Sequence, residues 1–137
     1  MTLAIRDLQL SVVRYTSDQK IVWDSFVAAS RNGTFLFMRD YMDYHADRFT
    51  DYSLMFYKGG RLLALLPGNI EDDTYCTHGG LTYGGFVLAY QASARVVLEA
   101  FYLLCRYLKE TSGIKRIVYR TIPFIYHKYP AEEDLYA

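Results

Sequence analysis

Alternating apolar and polar positions open the chain. Leu8, Leu10 and Val12 alternate with Gln9 and Ser11, and Val13 and Tyr15 follow, so Leu8 to Tyr15 reads as a strand. Thr16-Ser17-Asp18 then offers capping side chains. A helix is predicted to about Ser30, with Trp23, Phe26, Val27 and Ser30 on one face. Asn32-Gly33 is expected to end it, because both residue types tolerate a left-handed backbone. Thr34 to Phe49 carries two signals. Phe35, Leu36 and Phe37 are strand-like, whereas Met38, Tyr41, Met42 and His45 have helical spacing. The reading adopted is a short turn followed by a second helix near Met38–Arg48.

Ser53 to Tyr57 and Arg61 to Leu66 read as strands joined by Lys58-Gly59-Gly60, whose paired glycines suit a tight hairpin. The second strand is apolar throughout Leu62 to Leu66, which predicts burial on both faces. Pro67 should end or bulge it, and Glu71-Asp72-Asp73 should turn. Thr74 to Ala89 reads as a strand, a glycine-rich turn and a short extended segment. Gln91 to Glu110 is predicted as a long helix with Val97, Leu98, Phe101, Leu104, Cys105 and Leu108 in one stripe. Arg95 and Glu99 are spaced to pair on its surface, and Gly113 supplies a left-handed cap. Lys115 to Thr121 is a last strand, with Ile117 and Tyr119 on one face and Arg116, Val118 and Arg120 on the other. Pro123 stops it. A terminal helix is expected near Ala131–Tyr136, where Glu132, Glu133 and Asp134 would favour the helix dipole.

The order β-α-α-β-β-β-α-β-α over residues 1–137, in one domain, predicts an α+β fold, a mixed αβα sandwich. Composition agrees. Of 137 residues, 52% are hydrophobic and 22% charged, enough to bury a sizeable core. Lys+Arg and Asp+Glu are both 15, so the net charge is zero and the basic excess of a dedicated nucleic-acid binder is missing; no DNA partner is expected. No apolar run reaches the roughly 18 residues of a membrane span. Charges interrupt the N-terminal stretch where a signal peptide would hold its apolar segment, so a cytoplasmic protein is expected. Cys76 and Cys105 read as reduced, buried packing residues.

Several side chains are candidates for chemistry. Four of the nine glycines fall between Gly79 and Gly85, beside His78 and Tyr83. Glycine lets a backbone approach a ligand closely, and exposed amides hold phosphate or carbonyl oxygen. A β-turn or bulge explains the same glycines without a ligand. Asp40, Asp43, His45, Asp47 and Asp51 surround one histidine, but on a helix His45 points away from the face shared by Asp43 and Asp47, so a solvated face is expected and no metal site. Asp18 with Lys20 and the run Glu132–Asp134 read as ordinary surface. His127 either lines a cleft or packs at the surface. No Gly-x-Ser-x-Gly, Ser-His-Asp or phosphate-loop signature is present.

The element order resembles that of the GNAT superfamily of acyl-CoA N-acyltransferases. Trp23-Asp24-Ser25-Phe26, Asn32-Gly33-Thr34-Phe35-Leu36, the stretch from Thr77-His78-Gly79-Gly80 through Tyr83-Gly84-Gly85, and Pro123-Phe124-Ile125-Tyr126-His127 look like the N-terminal half of bacterial GNAT-type proteins allied to the Fem aminoacyltransferases. The resemblance implies transfer of an acyl or aminoacyl group to an amine by direct attack, with strand-end amides stabilising the oxyanion. It implies acyl-CoA or aminoacyl-tRNA as donor substrate, no tightly bound cofactor, and a small-molecule or peptide amine as acceptor. The groove would be bordered by His78, Gly79, Gly80, Tyr83, Gly84 and Gly85, with no catalytic residue assigned. The sequence departs from the superfamily at the pyrophosphate loop. Tyr83-Gly84-Gly85-Phe86 stands there without the usual preceding Gln or Arg, and the superfamily's closing pair of strands does not follow within the 137 residues. The alternative expectation is a non-catalytic, incomplete GNAT-like module that self-associates as a homo-oligomer, a two-fold dimer, or pairs with a missing half.

Overall fold

The computed structural model describes residues 10–44, 50–77, 84–111, 113–122, 126–131 and 133–136. In chain order these form β1 (Leu10–Arg14), α1 (Lys20–Ala29), α2 (Arg39–Tyr44), β2 (Thr50–Asp51), β3 (Leu54–Lys58), β4 (Arg61–Leu66), β5 (Asn69–Glu71), β6 (Thr74–Cys76), β7 (Val87–Leu88), α3 (Ala94–Thr111) and β8 (Arg116–Val118). Short 3-10 turns occupy Ser17–Gln19, Phe35–Phe37 and Glu133–Tyr136.

The mixed α+β expectation stands, built on two sheets instead of one. One sheet has the order β1-β3-β4-β7 and is antiparallel throughout; the other has the order β2-β5-β6-β8. Pro67-Gly68 separates β4 from β5, so one run of sequence serves both sheets. The Gly59-Gly60 hairpin forms as read, with φ of 55° and 83°. In β3, Leu54 and Phe56 face α3, while Met55 faces α1 and α2. The first sheet is therefore sandwiched. Val97, Ala100, Leu104 and Leu108 of α3 close one side, and Trp23 and Val27 of α1 with Phe37 and Met42 close the other. The indole N–H of Trp23 donates to Phe37 O at 2.7 Å, which satisfies its polar atom inside the core.

Several local expectations need correction. The α1 helix ends at Ser30, which turns extended, and neither Asn32 nor Gly33 takes a positive φ. Asn32 is instead buried, donating to Phe86 O and accepting from Leu88 N–H, so its amide stands in for a strand neighbour of β7. The α3 helix starts at Ala94 because Ser93 Oγ accepts the Val96 N–H as an N-cap. Its buried face is rotated from the expected stripe. Val96 and Ala100 are inside with Val97, Leu104 and Leu108, and Cys105, one residue past Leu104, falls on the side turned to solvent. Cys76 is only half-buried. Arg95 and Glu99 do pair, at 3.1 Å, but Glu99 is buried. Of the second predicted helix, Arg39–Tyr44 is helical, and residues 45–49 lie outside the described residues.

Candidate functional site

The second sheet holds the only parallel pairing among the described strands. Tyr75 pairs with Ile117 and Cys76 with Val118, with α3 forming the connection between β6 and β8. One residue further, Thr77 N–H still donates to Val118 O at 3.0 Å, and Thr77 Oγ1 accepts the Arg120 N–H at 2.6 Å. The segment after β6 reaches β7, which pairs with β4 in the first sheet.

Of the residues expected to border a groove here, His78, Gly79, Gly80 and Tyr83 lie outside the described residues. Gly84 and Gly85 are buried. Gly85 has φ +98°, and a Cβ there would stand 2.7 Å from Arg120 O and 3.1 Å from the Tyr119 hydroxyl. Glycine at 85 is required both by the backbone angle and by the close passage of the β8 strand.

The next amide is engaged. Phe86 N–H donates to the Tyr119 hydroxyl at 2.9 Å, and that hydroxyl donates to Asp134 Oδ2 at 2.8 Å. The Tyr119 ring lies 4.9 Å from that of Phe101 and 6.0 Å from that of Phe86, measured between centroids. Among the described residues, the space around the Phe86 amide is thus filled by side chains. Burial pushes the Tyr119 phenol far above its ordinary range, reinforced by the neighbouring Asp134 and opposed by the Phe86 amide. Burial likewise raises the Asp134 carboxyl, while the Tyr119 hydrogen bond pulls it back.

Arg31 fixes the segment that carries Asp134. Its guanidinium donates to Pro130 O at 2.9 Å and Ala92 O at 3.1 Å and pairs with Glu133. Glu133 and Asp134 are therefore not ordinary surface, as the acidic run suggested: one ties the loop after α1 to the tail, the other closes the strand gap. The run gave no signal of this, because the partners lie far away in sequence.

The acidic group around His45 divides differently. Asp43 and Asp51 both pair with Arg39, which is buried, stacks 3.9 Å above the Tyr15 ring and also lies over Trp23. Asp40 pairs with Lys20. His45 and Asp47 are outside the described residues. No cluster of three metal-ligating side chains occurs among the described residues. His127 is half-buried, with Nε2 at 2.9 Å from Ile122 O, a packing position. One groove, of about 360 Å³, lies elsewhere, between Phe26, Leu62 and Tyr90. No helix among the described residues is long and apolar enough to cross a membrane.

At the far side of the parallel pair, no strand among the described residues pairs with β8. All three residues of β8 are exposed, including Ile117 at 37% and Val118 at 45%. No protein-family model and no curated protein matches the chain.

Proposed function

We propose that this chain is a GNAT-like module that works by strand pairing with another polypeptide, in preference to acting as a self-contained transferase. One observation carries the reading: β8 is an edge strand with exposed apolar side chains and outward-facing backbone groups that have no partner among the described residues. The filled gap between β7 and β8 supports it, since the amide that would receive an acyl oxygen, Phe86 N–H, is held by Tyr119.

Titration with short extended peptides tests the reading. Backbone amide resonances of Ile117 and Tyr119 are expected to shift on addition, and Ile117→Pro, which removes an edge donor, is expected to abolish the shift. Peptides that leave both resonances unmoved would overturn strand pairing.

Acyl or aminoacyl transfer is the second reading. The parallel pairing of β6 with β8 and a glycine at φ +98° against Arg120 O favour it. On that reading Tyr119→Phe frees the Phe86 amide, and acyl-CoA should raise the melting temperature of the variant more than that of the wild type.

A further inference from the structure

We propose that the outer edge of β8 takes an extended segment in antiparallel register with a definite charge pattern: an acidic residue, any residue, an apolar residue, any residue, and a second acidic residue. The acids would stand opposite Arg116 and Arg120, and the apolar residue opposite Val118. This rests on the strand-pairing reading above and names its partner.

The register follows from the backbone. Arg116 N–H bonds Asp73 O at 3.3 Å, and Val118 O accepts the Thr77 N–H at 3.0 Å, so residues 116 and 118 turn their peptide groups toward β6. Arg120 N–H continues this by bonding Thr77 Oγ1. Peptide directions alternate along a strand, which leaves the N–H and C=O of Ile117 and Tyr119 pointing outward. Neither backbone has a hydrogen-bond partner among the described residues. An antiparallel strand that satisfies Ile117 and Tyr119 places its hydrogen-bonded pairs there. Residues 116, 118 and 120 then fall at non-hydrogen-bonded pairs, where opposing Cα atoms approach to about 4.5 Å and side chains meet most closely.

Side-chain directions make those three positions one surface. Tyr119 packs on Phe101 of α3, so Ile117 and Tyr119 face the helix. Arg116, Val118 and Arg120 project from the opposite face. That face presents cation, apolar residue, cation, all exposed. Among the described residues, the Arg116 guanidinium has only a contact of 4.0 Å with Asp73, with side chains 76% and 44% exposed, so it is available to a better partner. The Arg120 guanidinium has no partner among the described residues. The acidic turn at Asp72-Asp73, after β5, lies on the β6 side and does not cover the outer edge.

The same geometry argues against a second copy of β8 as the partner. A two-fold antiparallel pairing that uses both free peptide groups sets Ile117 opposite Tyr119. It then sets Arg116 opposite Arg120 on both sides of the Val118 pair, and like charges directly opposite oppose pairing. A foreign strand with acids at those places turns both repulsions into ion pairs.

Three capped heptapeptides test the pattern: Thr-Glu-Thr-Val-Thr-Glu-Thr, the same peptide with both Glu replaced by Gln, and the same with both replaced by Lys. Binding is followed by the Ile117 and Tyr119 amide resonances. The acidic peptide is expected to bind about tenfold tighter than the neutral one at low salt, and the basic one weakest. The preference should shrink at high ionic strength. The double variant Arg116→Glu, Arg120→Glu should invert the order. Equal affinity for acidic and neutral peptides, unchanged by salt, would overturn the charge pattern and leave strand pairing standing. Failure of all three to move either resonance would overturn strand pairing itself. The salt series on the wild-type chain separates these outcomes whether or not the double variant folds.

Discussion

At the scale of single residues, the Tyr119 hydroxyl is both acceptor for Phe86 N–H and donor to Asp134, and so ties the glycine-rich stretch, β8 and the tail together. Tyr119→Phe keeps the ring and removes both bonds. A buried group left without its partner costs about 1–3 kcal/mol. The variant should lose that much in a urea titration and exchange its Phe86 amide faster; a loss near zero would mean that the ring alone matters. Asp134 adds a pH dependence. Its folded pKa is raised, mainly by burial, above the ordinary aspartate value of about 3.9. The folded state therefore holds the proton more tightly. The stability this gives is complete below the unfolded pKa and is lost as pH rises through the folded one. Asp134→Asn does not titrate. The melting temperature of the wild type minus that of Asp134→Asn should fall as pH rises from about 4 through the folded pKa. A flat difference would show that the carboxyl is not raised.

At the scale of elements, α3 divides into two faces one residue apart. Leu104 is fully buried against the sheet, and Cys105 is exposed. Leu104→Ala should destabilise by about 2–5 kcal/mol, because it removes buried methyl groups and leaves a cavity. Cys105→Ala should stay within about 0.5 kcal/mol. Comparable losses at the two positions would place the helix in the rotation that apolar spacing alone suggested. That spacing counted Cys105 as core because it weighed hydrophobicity without knowing how near the sheet lies. The hairpin at Gly59-Gly60, the break at Pro67 and the turn at Asp72-Asp73 needed no such knowledge, since each is dictated by local backbone chemistry, although Glu71, read as part of that turn, ends β5.

At the scale of the whole molecule, zero net charge conceals a local imbalance. The exposed edge of the second sheet carries Lys115, Arg116 and Arg120 within six residues. An open sheet edge in a chain this apolar suggests self-association, and charge opposes it. Light scattering at low salt should therefore report a monomer. Raising the salt should move the population toward a two-fold dimer, because the Debye length falls from about 30 Å at 0.01 M to about 3 Å at 1 M. A dimer already complete at low salt would place the self-contact elsewhere on the surface.

Local chemistry in the sequence determined the main helices, strands and hairpins, but left no signal of the short strands β2 and β5. Apolar periodicity placed α1, β3, β4 and most of α3, and Gly59, Gly60 and Pro67 punctuated them. It also singled out the glycine cluster, of which Gly85 takes a positive φ and lies against Arg120 O and the Tyr119 hydroxyl. It did not determine the division into two sheets, because pairing depends on contacts far apart in sequence: β4 and β5 are separated by two residues yet have no common strand neighbour. Nor did it reveal what fills the gap. Tyr119 and Asp134 are 15 residues apart, and Phe86 lies 33 before Tyr119. Arg31 meets Glu133 across 102 residues. Nothing in the neighbourhood of an aspartate or a tyrosine records so distant a partner; only the packing of α3 against the sheet brings these groups together and dries them enough for their hydrogen bonds to matter.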